Sequence, residues 1–280
     1  MRLRVLAAPG LVTVQDRGRV GLAHLGVPRA GALDLPAAAL ANRLVGNSED
    51  DAVLEVALGG LTVASTDGRW VAVTGADCAV TVDGQSAAHG RVEWLPAGAE
   101  LTLGPARTGV RCYVAVAGGI ASEPVLGSRS TDTLAWVGPP RVVDGEELPV
   151  GEPSGRPVAH DTPRPPAGGP LRVDPGPRAD WLAPDALDRL CRTAYTVTTD
   201  SNRIGLRLDG PAIAWARDGE LASEGMVLGA VQVPPDGKPV VFLADHPPTG
   251  GYPVLAVVQA EDLWQCAQLR PGDEVRFRAS

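Results

Sequence analysis

The sequence predicts a mostly β protein in two lobes with a few short helices. Three observations carry this. Glycine and proline supply 34 and 26 of the 280 residues, which disfavours long helices and favours short strands joined by turns. The apolar runs are short and rich in valine, as strands require. The stretch Gly151 to Pro170 is dense in proline and glycine and has no apolar period, so it reads as a linker between a lobe of residues 1–150 and a lobe of residues 171–280. A chain of this length can bury one large core or two modest ones.

The elements follow in order. Leu11–Val14 alternates as a strand, and Asp16 to Gly31 is a loop punctuated by glycines. Asp34 then caps a helix: Pro36 sits in its first turn, alanines and leucines fill it, and Gly46 stops it. Val53–Leu58, Leu61–Ala64, Trp70–Thr74, Ala79–Val82, Leu101–Leu103 and Val110–Val116 read as short strands. Past the linker, in which His160 reads as solvated, Leu171–Val173 opens a second set. Asp180–Arg192 reads as helix, and Tyr195–Thr198, Leu206–Asp209, Val240–Ala244, Val254–Val258 and Glu274–Arg278 as strands. Asp262–Leu269 is a short amphipathic helix, and Pro271–Gly272–Asp273 turns the chain into its last strand. Asn42–Arg43–Leu44 and Asn202–Arg203–Ile204 each lead to a strand and a glycine stop, a weak internal echo.

Composition excludes several functions. A net charge of −8 with no basic patch argues against nucleic acid. Lys238 is the only lysine, so 24 of the 25 cations are arginines and no P-loop exists. Lys238 lies in a turn and has no biotin-attachment context; Schiff-base chemistry would have to use it. The four cysteines are far apart in sequence with no Cys-x-x-Cys pair, which offers no zinc site or other metal centre. The N-terminus faintly resembles a signal peptide but runs into a strand pattern without a cleavage motif, and no apolar stretch is long enough for a membrane span. These features read as a cytoplasmic protein with reduced thiols.

The run Asp245–His246–Pro247–Pro248–Thr249–Gly250–Gly251–Tyr252–Pro253 lies between two strand-like segments. Paired glycines let a ligand reach bare backbone, while Tyr252 offers a flat wall and a hydroxyl. The alternative is an ordinary hairpin turn. The loop Gln15 to Gly31 collects Asp16, Arg17, Arg19, His24 and Arg29, and arginine forks suit phosphates and carboxylates. Its alternative is a solvated loop with local ion pairs. Gly127–Thr133 and Asp200–Arg203 each allow an anion site or a self-capped turn, with Arg203 in the second case packed against an acid. No hydrolase triad or nucleophile elbow is present. His24 and His246 are the histidines in functional contexts, each readable as structural or as a proton shuttle. The candidate catalytic groups are His24 and Asp245. The candidate substrate- or ATP-binding residues are Gly31, Ser201, Asn202, Arg203, Glu224, Gln232, Thr249, Gly250, Gly251 and Tyr252.

Further motifs carry a resemblance. They are Val14–Gln15–Asp16–Arg17–Gly18–Arg19, His24–Leu25–Gly26–Val27–Pro28, Gly31–Ala32–Leu33–Asp34 and Leu40–Ala41–Asn42–Arg43–Leu44–Val45–Gly46–Asn47. Val114–Ile120, Leu126–Asp132, Ser201–Gly205, Ser223–Gly225, Gln232–Gly237 and Thr249–Pro253 continue them in order along nearly the whole chain. Together they resemble the biotin-dependent carboxyltransferase family, also called allophanate hydrolase subunit 2 or the C-type subunit of 5-oxoprolinase (KipA-like). The chain departs from the expected pattern at His246–Pro247–Pro248, which stands where more polar residues are expected before Thr249, and in its single lysine.

The resemblance implies a cyclophilin-like β-barrel architecture and a partner of subunit-1 or B type (KipI-like). It implies joint work with a TIM-barrel-like, LamB/YcsF-type protein in ATP-dependent opening of 5-oxoproline to glutamate, with ADP and phosphate released. There ATP would activate the lactam carbonyl by phosphorylation, bound by this chain, by its partner or jointly, and water would cleave the ring. The alternatives it implies are a carboxyltransferase subunit of biotin-dependent urea or allophanate metabolism, and a regulatory partner of a histidine-kinase inhibitor. Under the first of these, biotin is the cofactor. Within the implied site, Thr249–Tyr252 is expected to line a pocket with Glu224, Gln232 and Asp245, with Arg203 supplying compensating charge.

Overall fold

The computed structural model describes residues 1–159 and 169–280. The chain is mostly β, with three short α-helices and two single 3-10 turns among the described residues. It divides into two compact units: one of Met1–Arg19, Ala30–Asp132 and Trp136–Pro165, the other of Val20–Arg29, Thr133–Ala135 and Pro166–Ser280. Of the stretch 151–170, residues 160–168, including His160, lie outside the described residues. Before them, the Val158 N–H donates to the Leu44 carbonyl at the end of the first helix.

The first unit is a nine-stranded antiparallel sheet. Val12–Gln15, Val53–Ala57, Glu100–Val116, Thr62–Ser65, Arg2–Ala7 and Glu147–Pro149 run in that order, and Arg69–Val82 branches onto Glu100–Val116. Side chains alternate between faces along each strand. Cys112, Val114 and Val116 therefore join one core with Leu54, Val56, Val71 and Val73. Tyr113, Ala115 and Ala117 join another with Val53, Ala72 and helix residues Leu40, Ala41 and Leu44. That helix, Leu35–Val45, starts where Asp34 accepts from the Ala37 N–H at 3.0 Å and stops at Gly46, in the left-handed region. A buried network fixes its entry: Tyr113 donates to Glu55 (2.8 Å), Glu55 accepts from the Leu33 N–H, and the Asp34 N–H donates to the Tyr113 oxygen.

Four of the expected short strands are parts of two long ones, Arg69–Val82 and Glu100–Val116. Gly75, just past the expected strand Trp70–Thr74, sits where a β-bulge shifts the register. A Cβ there would lie 2.3 Å from the Arg111 carbonyl oxygen, so the strand pair needs a glycine to continue. The N-terminal segment that faintly resembled a signal peptide is the strand Arg2–Ala7. The expected helix Asp180–Arg192 is a 3-10 turn, Ala179–Trp181, followed by the helix Ala186–Arg192.

The second unit is an eight-stranded sheet in the order Glu274–Val275, Tyr195–Val197, Gly205–Asp209, Val240–Phe242, Ala230–Gln232, Val254–Val258, Leu171–Pro175, Phe277–Ala279. Its two ends are halves of one segment interrupted only at Arg276, so the sheet curls into a nearly closed barrel. Met226, Ala230, Val240, Phe242 and Val254 form a core cluster. A separate ladder pairs Glu224 with Gly250 and Gly225 with Thr249.

Candidate functional site

Six of the expected binding residues come together in the second unit. The small ladder sets Glu224 opposite Gly250. Gln232 is buried and donates from Nε2 to the Tyr252 carbonyl at 3.2 Å. Thr249 lies opposite Gly225 on the same ladder. A Cβ on Gly250 would lie 2.9 Å from Gln232 Nε2 and 3.2 Å from Met226 Cγ, so the protein itself uses the bare backbone there. Gly251 is different: its φ lies outside the left-handed region, and a Cβ would meet only the Leu221 carbonyl oxygen at 3.4 Å.

The Tyr252 ring is exposed and meets Trp215 edge-on at 6.5 Å. Trp215 in turn meets Trp181 at 6.2 Å, and the Arg217 guanidinium lies over Trp181. Sequence reading missed this aromatic row because its members are spread along 71 positions of chain, Trp181 to Tyr252. It also missed Arg178, whose guanidinium binds both oxygens of Glu224. The hydrogen bond from Arg178 holds the Glu224 carboxyl below its ordinary range, so it stays charged and bound.

Asp245 and Arg203 also meet, as a buried bidentate pair. Arg203 Nε and Nη2 reach the two Asp245 oxygens at 2.9 Å each. Thr133 adds its backbone N–H (2.9 Å) and hydroxyl (2.6 Å) to Oδ2. Such a carboxylate is a strut: its lone pairs are occupied and its charge is neutralised. Arg203 likewise directs its charge at Asp245 rather than outward. Ser201 and Asn202 serve their own turn: Ser201 accepts from the Arg207 N–H (2.9 Å), and Asn202 Oδ1 accepts from the Ile204 N–H (2.8 Å).

His24 stands on the exposed 3-10 turn Ala23–Leu25, its Nδ1 3.0 Å from the Gly21 carbonyl. Gly31 belongs to the other unit, where its N–H donates to Gln15 Oε1. With φ at 101° and a would-be Cβ 3.0 Å from Arg17 backbone, no other residue fits there easily. The hydroxyl-rich run near Arg129 turns inward. Ser128 and Ser130 donate to Asp16 at 2.6 Å each, and the Arg129 and Gly18 N–H groups add two more bonds. Burial pushes the Asp16 carboxyl up, but these four donors outweigh it and hold it low.

The loop arginines divide. Arg17 pairs with Glu49 and Asp50, and Arg19 is buried against the Val125 and Ser130 carbonyls. Arg29 is half-buried and, among the described residues, makes no hydrogen bond or ion pair. His246 is buried, its ring flat against Phe242 at 5.8 Å, with Nδ1 2.9 Å from the Pro247 carbonyl oxygen. Burial and the nearby Arg29 charge lower its pKa, against opposing effects of Pro247 and Asp245.

Comparison with known proteins gives a consistent picture. Residues 25–279 match the family model described as the carboxyltransferase domain, subdomain A and B. The chain is 38% identical over 279 residues to the C-type subunit of the 5-oxoprolinase of Escherichia coli, covering 98% of this chain and 90% of that protein. The crystal structure of TTHA0988 superposes with a TM-score of 0.88 at 38% identity, over 99% of this chain and 55% of the other. The urea carboxylase of Kluyveromyces lactis superposes with a TM-score of 0.91 at 30% identity, over 99% of this chain but only 27% of that one. The chain thus spans about half or less of these solved proteins.

Proposed function

The chain belongs to the family of the carboxyltransferase domain, subdomains A and B, and on that premise we propose that it is a subunit of an ATP-dependent 5-oxoprolinase, working in the cytoplasm with a subunit-1 or B type partner and a LamB/YcsF-type protein. The observation that carries this reading is the 38% identity with a C-type 5-oxoprolinase subunit across 90% of that protein's length. In this reading ATP supplies phosphoryl activation of the lactam carbonyl, and it is bound by the assembled complex.

The chain's own contribution is positioning. Glu224, Gln232 and Thr249–Tyr252 form one wall of a substrate site, with Tyr252 and Trp215 as its flat face. Gly251, unobstructed on its Cα side, is where a ligand approaches backbone. Arg203 and Asp245 brace the segment that leads into this wall. The exposed apolar residues Val20 and Leu25, 72% and 60% accessible, fit a docking face for the partner and place His24 beside it.

A second reading follows from the match to urea carboxylase: a carboxyltransferase role toward urea or allophanate with carboxyl groups delivered on biotin. Lys238 gives biotin no attachment point here, since its Nζ is held by Asp209 and the Gly210 carbonyl in a turn. The biotin would therefore arrive on another chain. A coupled ADP-release assay separates the two readings. Reconstituted with its partners, the protein is expected to release ADP with 5-oxoproline and not with urea; ADP release with urea alone would reverse the assignment.

A further inference from the structure

Two buried thiols in the first unit have no part in the site described above. Cys78 on the strand Arg69–Val82 and Cys112 on Glu100–Val116 are 34 positions apart in sequence, yet their sulfurs stand 3.6 Å apart. They are not ladder partners. Cys112 pairs with Gly75 and Cys78 with Ala106, and the register shifts three times between Gly75 and Val80. Cys112 Sγ also lies 3.5 Å from the Ala76 carbonyl oxygen. Both that oxygen and the Cys78 sulfur can accept from the Cys112 S–H. The bond from Cys112 holds the Cys78 thiol below its ordinary range, against burial and the Asp77 charge, and Arg107 adds to it. The same bond and burial push the Cys112 thiol up. Of the two, Cys78 therefore gives up its proton more readily and is the better nucleophile.

The pair lies one layer below the surface. Cys78 is flanked by exposed Asp77 and Ala79, and the facing strand is nowhere buried from Gly104 to Val110. A local opening of this bulged stretch reaches Cys78, 3% accessible, before Cys112, 0%. We propose that Cys78 and Cys112 are a modification site for hydroperoxides, closing to a reversible disulfide across the two long strands. The Cys78 thiolate attacks one peroxide oxygen. The S–O bond forms, the O–O bond breaks, and the second oxygen leaves as water or alcohol with the proton that Cys78 gave up. The Cys112 sulfur then attacks the Cys78 sulfenic acid. The S–S bond forms, the S–O bond breaks, and the hydroxyl leaves as water with the Cys112 proton. The two thiols lose two electrons and two protons, and the peroxide takes them up. A disulfide sets its sulfurs at about 2.0 Å, so the pair must close by roughly 1.6 Å. An irregular pairing yields that movement more easily than a regular ladder, whose bonds fix every step.

The test uses the full reduced chain below its unfolding temperature, with hydrogen peroxide as the probe. Trypsin separates the four cysteines: Cys78 falls in residues 70–91 and Cys112 in residues 112–129, with Cys191 and Cys266 in other peptides. A few equivalents of peroxide are expected to join the first two peptides with loss of two hydrogens, while Cys191 and Cys266 stay open to alkylation. Dithiothreitol should restore all four thiols. Cys112→Ala should stop at the Cys78 sulfenic acid, captured by dimedone. Cys78→Ala should leave Cys112 oxidising at roughly a tenth of the wild-type rate or less. The urea-unfolded chain, where no geometry favours one pairing, should give mixed links. The wild-type peptides are read directly, so the test stands even if an alanine variant folds poorly. Four results would overturn the inference: no link between the two peptides, a link that forms no faster in the folded chain than in urea, Cys78 carried to sulfinic acid in place of the link, or first oxidation at Cys191. The site rests on the thiol geometry and is independent of the 5-oxoprolinase reading.

Discussion

At the scale of single residues, burial separates groups that look alike in sequence. Arg203 reads in sequence either as a counter-charge for a ligand or as packed against an acid; it is among the most buried side chains and pairs with Asp245. Nothing local could reveal a partner 42 positions away, because the pairing depends on how two loops of one barrel meet. Breaking such a pair strands a charge. Asp245→Asn keeps an acceptor for Thr133 but leaves Arg203 uncompensated, and it should cost about 3–5 kcal/mol in urea unfolding. A loss below about 1 kcal/mol would mean that Arg203 finds water or another acceptor. His246 makes a second prediction. Its folded pKa is depressed, so below the ordinary value of 6.5 the unfolded chain takes up more protons than the folded one. Stability should therefore fall as pH drops from about 6.5 toward 5. His246→Gln should flatten part of that slope. His89, which burial shifts the same way against Ala76 and Asp77, contributes to what remains. An unchanged slope would show that His246 does not titrate differently in the two states.

At the scale of elements, legibility tracked how local the determinants are. The helix Leu35–Val45 was readable because its cap, first-turn proline and stop glycine lie within a dozen residues and act on their own backbone. The two long strands were not, because Gly75 serves to admit the Arg111 carbonyl of a strand 36 positions on, and nothing local announces that fit. Cys78 and Cys112, distant in sequence, bring their sulfurs within 3.6 Å across that same irregular pairing. The glycine ladder was half readable. Its composition marked Thr249–Tyr252, but not that Gly250 is crowded and Gly251 open. This contrast gives a paired prediction. Gly250→Ala must displace Gln232 or Met226 and should cost about 1–3 kcal/mol. Gly251→Val should leave the melting temperature nearly unchanged while abolishing turnover of the assembled enzyme. Full turnover in Gly251→Val would reduce this loop to a hairpin.

At the scale of the whole molecule, the mostly β character was legible from glycine, proline and short valine-rich runs, because those set the number of turns. The closure of the second sheet was legible only through the resemblance, which implies a β-barrel; composition alone could not give it, since it depends on pairings between distant segments. The exposed residues Val20 and Leu25 give the prediction for assembly. Val20→Asp with Leu25→Asp should leave the isolated protein's unfolding curve in place, within about 0.5 kcal/mol, and weaken co-elution with a subunit-1 type partner. Undiminished co-elution would move the docking face elsewhere. The segment Glu274–Ala279 has a further consequence, for how the second unit acquires its structure. Its first half pairs with Tyr195–Val197 and its second with Leu171–Pro175, whose residue Leu171 meets Phe277 more than a hundred positions away. Ring closure of that span must precede the contacts that reward it, which makes the step slow. Until it happens, Leu171–Pro175 and Tyr195–Val197 each keep one raw edge, and raw edges pair with whatever strand arrives first. The refolding yield of this protein should therefore be governed by concentration, with a race between a six-residue seam and a neighbouring molecule deciding how much is lost.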